Sequence, residues 1–350
     1  MTWTAFLRHL GFCALLALFS AAIVRGMIGL RVMDKPGLRK AHAHPTPKGG
    51  GVGIVAAFMA GVAALYEFAA FSRLAEPYFR GVILASGAIA VVAFLDDLRD
   101  WPFTVKLGAQ VAAGLAAIAS GLYISTYRLP FIGPVDIGWL GAPATLAWIL
   151  FATNAVNFID GLDGLAGGVS LIACGFLAEI AVSQDAFFTY FAALLLAAGL
   201  VGFLPFNFPR ARIFMSDVGS QFCGFVLAML GVAASRFEKV ELSFVVMPVL
   251  LSGVLFDVAF TLARRALAGE TLTAAHRSHL YQVAHRAGMD ARAVAAVHWG
   301  FALFGGACCL AFIRAPAPLK PIFVLLPLVP QLSWLQYVSV RSRKAGLERW

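Results

Sequence analysis

Polar residues recur at three-residue intervals in the segment NAVNFIDGLDG, which spans residues 154–164. Asn154, Asn157, Asp160 and Asp163 keep this spacing, which places near neighbours on related faces of a helix, and a glycine follows each aspartate. Hard oxygen atoms of this kind suit magnesium, which commonly takes one or two carboxylates and completes its shell with phosphate oxygens and water. Asp217, in the segment FMSDVGS, is a second candidate ligand from another part of the chain.

Two adjacent carboxylates, Asp96 and Asp97, follow the apolar run VVAFL. Because adjacent carboxylates repel each other, the pair indicates a cation, a basic partner or shifted pKa values. For an isolated pair, a solvated helix end is the better explanation. Lys106 lies nine residues after Asp97, at the start of the next apolar run. Its ammonium either extends to the membrane interface or binds a phosphate there.

The segment 264–282 begins with two arginines and also contains His276, Arg277 and His279. Cations of this kind bind diphosphate, and arginine does so through its planar fork. A solvated basic loop explains the charge equally well. The two histidines have no nearby Cys or Glu at zinc spacing, so we favour phosphate over a metal for this segment.

The elements that must position these residues are apolar. Hydrophobic residues make up 61% of the 350 residues and charged residues 13%, whereas soluble domains have about 45–50% and about 25%. No A-x-A cleavage site follows the first apolar run, which we keep as a helix, and there is no Walker loop or internal repeat. We therefore predict an all-α polytopic membrane protein with a single domain, 1–350. Its eleven predicted transmembrane helices, each able to cross a ~30 Å hydrocarbon core, are 5–26, 51–71, 78–95, 105–124, 140–156, 165–183, 186–204, 218–234, 243–263, 296–313 and 319–338.

The distribution of basic residues predicts the orientation of these helices. With the N-terminus outside, nineteen of the 27 Lys and Arg residues lie at inner ends and loops, and eight lie outside. We therefore predict a periplasmic N-terminus and a cytoplasmic C-terminus. The net charge of +9 is scattered among short loops, which argues against nucleic acid as a partner. The five cysteines all lie in apolar runs and are interpreted as packing residues.

In this topology the polar segments share the inner side. They are 34–51, 96–97, 154–164, 206–217 and 264–282. Acids and amides at membrane depth are costly and mark functional sites, so five such segments at one face predict a single composite site. Two acids do not fit this pattern. Glu179 lies toward the outer end of its helix and Asp257 lies inside the ninth helix, and neither is assigned a role.

The segments DKPGLRKAHAHPTPKGGG, FLDD, NAVNFIDGLDGLA, FMSDVGS and HRSHLYQ, in this order and spacing, resemble the polyprenyl-phosphate N-acetylhexosamine-1-phosphate transferases. The resemblance covers roughly residues 30 to 290. It implies that a phosphate oxygen of undecaprenyl phosphate attacks the β-phosphorus of a UDP-N-acetylhexosamine, which releases UMP and leaves a lipid diphosphate sugar. It also implies Mg²⁺ as the cofactor, with Mn²⁺ as the alternative ion.

The resemblance also implies roles for individual residues. It assigns the metal site to Asp217 and Asn157. Lys106 would contact the lipid phosphate, and Asp96 or Asp97 would deprotonate or orient that phosphate, a choice that the resemblance leaves open. The remaining candidates bind substrate: the uridine contacts Asp163 and Phe214, the cleft residue Asp160, the diphosphate ligands Arg277 and His279, and also Lys48, Asn154 and His276.

One departure from the family pattern bears on the substrate. The branch that makes the first lipid intermediate of peptidoglycan carries three consecutive histidines in its last loop, whereas this chain has His279 followed by LYQ. The chain therefore looks more like the branch that initiates O-antigen or related surface polysaccharides. GlcNAc, FucNAc and QuiNAc all remain open as the sugar.

The resemblance also implies a setting for the protein. It places a multi-pass enzyme in the bacterial inner membrane, with its active site at the cytoplasmic face, in contact with membrane lipid, and leaves a homodimer open. Two other classes compete with the transferase. A transporter or permease would place acids near mid-membrane, often in two repeated halves, and a scaffolding protein would tolerate loss of Asp217.

Overall fold

Helices make up most of the protein. A computed structural model describes residues 2–34, 45–68, 77–99, 101–236, 242–274 and 276–347. The part 35–44 of the first polar segment lies outside the described residues. The helices are α1 Trp3–Leu30, α2 Gly51–Phe68, α3 Pro77–Arg99, α4 Phe103–Ala119, α5 Gly141–Phe158, α6 Leu165–Ser183, α7 Phe187–Asn207, α8 Ser216–Arg236, α9 Val246–Leu250, α10 Ser252–Leu267, α11 Leu280–Arg286, α12 Ala291–Arg314, α13 Lys320–Leu325 and α14 Leu328–Lys344.

Within these described ranges, nine helices are long and apolar enough to cross a membrane. Each of the eleven predicted segments is helical at least in part. The helical class and the multi-pass character are thereby confirmed, whereas the number of eleven spans and their orientation remain predictions.

Three predicted segments differ from the observed helices, and one of them is the eleventh, 319–338, which is divided between α13 and α14. The fourth was expected to reach residue 124, but α4 ends at Ala119, because the chain turns at Gly121 with a φ of +100°. The ninth was expected to be continuous from 243 to 263. It is divided at Leu251 into α9, which contains Pro248, and α10. Proline has no N–H to donate within a helix, which weakens the first of these two pieces.

Two short antiparallel hairpins accompany the helices. Strands β1 Met33–Asp34 and β2 Thr46–Pro47 pair just before α2, and β3 Thr126–Leu129 pairs with β4 Gly133–Asp136 between α4 and α5. The sequence pattern did not predict either hairpin. The second one joins the C-terminal end of α4 to the N-terminal end of α5, so it lies at the end of the bundle opposite to Lys106 and Asn157.

The centre of the bundle is α8. Within its most apolar window, 94% of the residues are buried, and it packs against α2, α3, α5, α6 and α7. Small residues permit these close contacts: a Cβ atom on Gly51 would overlap Gly219 of α8, and one on Gly224 would lie 2.9 Å from the Cα of Thr153. Glycines at such crossings let helix backbones approach closely within a membrane. The helix that carries Asp217 is therefore held on several sides.

The α2–α8 crossing yields a stability prediction. Gly219→Ala places a methyl group against Gly51 and the Met215 side chain, and overpacking of this kind costs about 1–3 kcal/mol. We expect a lower unfolding temperature for the variant in detergent, measured by fluorescence-detected size exclusion after heating. Gly175→Ala is the matched control, because a Cβ there meets nothing within 4 Å. Equal unfolding temperatures for the two variants would contradict the close crossing.

Candidate functional site

Helix ends bring the predicted polar residues together. Asp96 and Asp97 lie in the last turn of α3, Lys106 lies in the first turn of α4, Asn157 lies in the last turn of α5, and Asp217 lies in the first turn of α8. Because α3, α4, α5 and α8 pack side by side and alternate in direction, these ends meet at one end of the bundle. The segments predicted to form one composite site are therefore neighbours in space.

Lys106 connects two carboxylates from different helices. Its Nζ lies 2.5 Å from Oδ2 of Asp96 and 2.7 Å from Oδ2 of Asp217. The Asp96 side chain is only 3% exposed, and its Oδ1 accepts a hydrogen bond of 2.8 Å from the backbone N–H of Trp101. Both oxygens of Asp96 are thus occupied. Its geometry is that of a group that holds Lys106 in place.

A layer of amide side chains supports Asp217. Asn157 donates from Nδ2 to Oδ1 of Asp217 at 3.1 Å and to Oγ of Ser220 at 2.8 Å. Gln221 donates to Oδ2 of Asp217 at 3.2 Å, and Gln110 in turn donates to Oε1 of Gln221 at 3.0 Å. The orientation of Asp217 is therefore fixed by neighbours on three helices.

Asn154 belongs to the same layer of amide side chains, because it donates a hydrogen bond of 2.6 Å to Gln110. The sequence reasoning singled out Asn154 and Asn157 but missed Gln110, Ser220 and Gln221. The sequence did contain a signal for the two glutamines, because a glutamine within an apolar helix needs a hydrogen-bond partner when it is buried, as both are. The sequence alone could not show that they bind each other.

Asp97 is more accessible than Asp96 and has a different partner. Its Oδ2 accepts a hydrogen bond of 3.2 Å from the backbone N–H of Val218, at the start of α8. The charges of Asp217 and Lys48 both act on this carboxylate. Lys106, Asp96 and Asp217 together form what we call the Lys106 cluster. Asp97 therefore lies between this cluster and the segment that carries Lys48.

The surplus of carboxylates makes this end of the bundle a candidate cation site. Withdrawal from water and the nearby charges of Asp217 and Asp97 raise the pKa of Asp160 well above its usual value. Among the residues that the structure describes, no group of three or more His, Cys, Asp or Glu side chains is close enough to form a metal cage. A magnesium ion that keeps water and phosphate ligands needs only one or two protein groups, and the adjoining side chains of Asp217 and Asn157 offer the oxygen atoms that it prefers. Both oxygens of Asp217 accept hydrogen bonds in this structure, so a bound ion would replace the contact with Lys106 or with the Asn157 amide.

The segment 206–217 is bonded to two other polar segments. Asp163 accepts a hydrogen bond of 2.9 Å at Oδ2 from the backbone N–H of Ala211. Asn207 accepts one of 2.8 Å from the N–H of Gly164 and donates one of 3.0 Å to the carbonyl of Ile213. Phe214 pairs through its backbone with the segment 47–50, which contains Lys48. Asn207 was not predicted, although it stood within a segment recognised as polar.

A second cluster surrounds Asp257, which the sequence left without a role. Its Oδ1 lies 3.1 Å from Nδ1 of His279, and its two oxygens accept hydrogen bonds of 2.9 and 3.0 Å from the N–H groups of Leu280 and Tyr281. The Nε2 atom of His298 lies 3.8 Å from Oδ2. Asp257 thus orients His279 and fixes the start of α11. It is a positioning residue that sequence reasoning missed.

His276 and Arg277 lie beside this cluster. Burial, the neighbouring His279 ring and the positive charges of Arg265 and Arg264 lower the pKa of His276 to about 4, so its ring is neutral at pH 7. Its Nδ1 lies 2.9 Å from Oγ of Ser278. Nη2 of Arg277 is buried, and nothing in the described part of the chain accepts a hydrogen bond from it. A guanidinium with a buried and unused donor fits an anionic ligand.

The Lys106 cluster and the group around Asp257 and His279 meet at the end of α5. The hydroxyl of Tyr281 donates a hydrogen bond of 2.8 Å to the carbonyl of Phe158, and the same hydroxyl lies where a Cβ atom on Gly161 would be. The ring centroids of Phe158 and His279 are 5.8 Å apart. The loop 276–282 therefore packs directly against the segment that carries Asp160. This arrangement could hold a ligand with a metal-bound part and a diphosphate part.

Comparisons with known proteins agree with the resemblance seen in the sequence. The family model described as Glycosyl transferase family 4 matches residues 79–235. The probable undecaprenyl-phosphate N-acetylglucosaminyl 1-phosphate transferase of Bacillus subtilis is 32% identical over 261 residues, which cover 74% of this chain and 71% of that protein. The undecaprenyl-phosphate alpha-N-acetylglucosaminyl 1-phosphate transferase of Yersinia pestis is 28% identical, covering 79% and 74%. A phospho-N-acetylmuramoyl-pentapeptide-transferase of Moorella thermoacetica is 40% identical, covering 46% and 53%.

The position of Asp257 yields a prediction about the loop 276–282. Asp257→Ala removes the acceptor of the Leu280 and Tyr281 N–H groups, which have no partner within α11. We expect faster amide exchange in the peptide that covers residues 278–286, and a loss of about 3–5 kcal/mol in stability, as for other broken buried pairs. Hydrogen–deuterium exchange with mass spectrometry in detergent measures the first effect.

Two further variants control this experiment. Asp257→Asn keeps one acceptor oxygen, so its exchange should lie between those of the wild type and Asp257→Ala. Asp290→Ala removes an exposed aspartate that bonds Arg292 at the start of α12, and it should leave the 278–286 peptide unchanged. Wild-type exchange of that peptide in a folded Asp257→Ala protein would show that Asp257 does not hold the loop.

Proposed function

This chain belongs to glycosyl transferase family 4, and we propose that it transfers N-acetylhexosamine 1-phosphate from a UDP-sugar to undecaprenyl phosphate. The reaction would release UMP and form a lipid diphosphate sugar. The observation that carries the proposal is the Lys106 cluster, in which an ammonium, two carboxylates and an amide layer are bonded together where four apolar helices end. Two of the relatives are named for undecaprenyl phosphate and an N-acetylglucosaminyl 1-phosphate group.

The reaction needs positioning and charge neutralisation more than covalent chemistry by the protein. A phosphate oxygen of the acceptor forms a bond to the β-phosphorus of the donor, and the bond from that phosphorus to the bridging oxygen breaks, so that UMP leaves. In this proposal Lys106 holds the acceptor phosphate near Asp97, and Arg277 and His279 stabilise the donor diphosphate. A magnesium ion bound to oxygens of Asp217 and Asn157 would neutralise charge on that diphosphate.

The geometry suggests different tasks for the two adjacent aspartates. Asp96 is buried, with one oxygen on Lys106 and the other on the Trp101 amide. Asp97 is more accessible, and its carboxylate accepts hydrogen bonds from the backbone N–H groups of Val218 and Asp217 at the start of α8 rather than bonding Lys106. We assign to Asp97 the contact with the acceptor phosphate, which it would deprotonate or orient, and to Asp96 the positioning of Lys106.

The residues of the segments 160–164, 206–217 and 276–282 are proposed to bind the donor. In this proposal Asp163 and Phe214 contact the uridine, Asp160 lines the nucleotide-sugar cleft, and His276 offers a neutral ring. Lys48 completes the substrate contacts, and Asn154 acts on the substrate indirectly, through Gln110 and the amide layer that supports Asp217. Their support is the hydrogen bonding that joins the segments 160–164, 206–217 and 46–51 into one wall.

The biological setting is also proposed. We place the site at the cytoplasmic face of the bacterial inner membrane and the product at the start of O-antigen or a related surface polysaccharide. The absence of three consecutive histidines after residue 278 supports a substrate other than the muramoyl-pentapeptide. A transporter would place acids near mid-membrane, whereas the acids of the Lys106 cluster lie at helix ends.

Radiolabelled sugar transfer tests the proposal directly. The purified protein in detergent should label undecaprenyl phosphate from one of UDP-GlcNAc, UDP-FucNAc or UDP-QuiNAc, with release of UMP, and EDTA should abolish the labelling. Asp217→Ala should lose nearly all activity, since it removes a metal ligand and a partner of Lys106. Asp136→Ala, in the exposed hairpin at the opposite end, should retain it. Folded wild-type protein that labels no lipid with any donor would exclude the transferase and favour a transporter.

The two aspartates can be separated by comparing activity with stability. We expect Asp97→Asn to lower kcat by about 10²-fold or more, as for loss of a general base, with a small change in unfolding temperature. Asp96→Asn should lower the stability by about 1.5–3 kcal/mol, because a charge-assisted hydrogen bond to Lys106 is lost. Turnover and thermal unfolding are measured on the same preparations. Full activity of Asp97→Asn would transfer the acceptor contact to Asp96.

A further inference from the structure

A histidine of α12 contacts the group around Asp257 and His279. Helix α12 lies beyond residues 79–235, the part that the family model matches, and the sequence assigned no site residue to it. His298 is 1% exposed, and its Nε2 lies 3.8 Å from Oδ2 of Asp257. Asp257 also lies 3.1 Å from Nδ1 of His279, so His298 is one residue removed from a proposed donor ligand.

The contacts of the His298 ring indicate where its protons lie. Nδ1 is 3.0 Å from the carbonyl oxygen of Val294, which can only accept, so Nδ1 carries a proton. Nε2 is buried and has no hydrogen-bond partner in the part of the chain that the structure describes. Its separation from the Asp257 carboxylate is that of an ion pair rather than a hydrogen bond. This contact is favourable when Nε2 also carries a proton, because a carboxylate accepts and does not donate.

Aromatic side chains hold the His298 ring in this position. The centroids of the rings of Tyr281, Phe301 and Trp334 lie 6.4, 5.5 and 5.9 Å from its own, with interplanar angles of 86°, 68° and 88°. Edge-to-face arrangements at such distances are favourable for aromatic rings. Trp334 belongs to α14, so the last long helix takes part in this packing. The enclosed ring has little freedom to turn away from Asp257.

The Asp257 carboxylate lies between the two histidines. Its Oδ1 faces His279, and its Oδ2 is the oxygen that His298 approaches. Because each histidine meets a different oxygen, the two contacts fix the plane of the carboxylate as well as its position. His279 uses Nδ1 for this contact, which leaves Nε2 as the ring atom that can meet a ligand.

We propose that His298 is a further positioning residue for the donor substrate. It fixes the Asp257 carboxylate from the side of Oδ2, and Asp257 in turn presents Nε2 of His279 to the donor diphosphate. The inference rests on the proposed function, in which His279 binds that diphosphate. A buried histidine that only fills space between helices needs no carboxylate beside it, and phenylalanine would replace it without loss. The proposal therefore requires that His298 affects the donor and not the acceptor.

Exchange of His298 for residues with and without a donor group tests this proposal. His298→Phe keeps a ring and removes both N–H groups, whereas His298→Gln keeps an amide donor for Asp257. We expect His298→Phe to raise the KM for the UDP-sugar about tenfold, since groups that orient functional histidines at metal sites contribute about 10–100-fold to affinity or activity. His298→Gln should recover much of this loss. The KM for undecaprenyl phosphate should stay unchanged in both variants.

A double-mutant cycle with His279 distinguishes positioning from a general structural role. In a His279→Ala protein, His298→Phe should raise the donor KM no further, because its effect passes through His279. An equal rise in that background, or no recovery in His298→Gln, would overturn the proposal. His9→Phe is the matched control, because His9 also bonds through Nδ1, to the hydroxyl of Tyr190, near the start of α1. It should leave both KM values unchanged.

The outcomes separate this inference from the reaction itself. A folded wild type that transfers no sugar would refute the proposed function, and amide exchange of the 278–286 peptide would then still test the contact. Faster exchange in His298→Phe than in the wild type, with His298→Gln between them, supports positioning of the loop by His298, whereas equal exchange in all three overturns it. If His298→Phe does not fold, His298→Met takes its place, since methionine is similar in length to glutamine and has no donor.

Discussion

One ammonium group placed between two carboxylates is the interaction on which the site depends. Lys106 on α4 reaches Asp96 on α3 and Asp217 on α8, so a single side chain ties three helix ends together. Charges withdrawn from water are costly unless they are paired and their remaining donors and acceptors are used. The amide layer of Asn157 and Gln221 supplies those remaining bonds on the side of Asp217. Ion pair and amide layer therefore form one unit, and a change in either alters the position of Asp217.

The backbone is strained at the start of α8, beside this unit. Ser216, the residue before Asp217, has a φ of +64°, a conformation that favours glycine and costs about 1–3 kcal/mol in other residues. Its Oγ accepts a hydrogen bond of 3.0 Å from the N–H of Gly49, and its carbonyl accepts one from Ser220. These bonds maintain the unusual conformation. As a result Asp217 begins α8 with its carboxylate at the positive end of the helix dipole, where negative charge is favoured.

The sequence predicted the architecture well because its physical signals were local. Long apolar runs indicate membrane helices without knowledge of their partners, and polar segments at alternate helix ends predict a common face. Partners distant in sequence could not be predicted in this way. Gln110 and Gln221 lie 111 positions apart, and Asp257 lies 22 positions before His279 across a loop. Hydrophobic periodicity identifies the face of a helix but not the residue that it meets. That is why Asp257 remained without a role and the break at Leu251 was missed.

The two halves of the site are held in place by separate sets of side-chain contacts. Lys106 sets the acidic half, and Asp257 sets the basic half by holding His279 and the start of α11. In the part of the chain that the structure describes, the end of α5 joins them through the bond from Tyr281 to the carbonyl of Phe158 and the space that Gly161 leaves for it. The charges that fix each half are paired within that half, since Lys106 bonds Asp96 and Asp217, and Asp257 bonds His279. Among the described residues, the order of one half therefore does not come from an ion pair with the other.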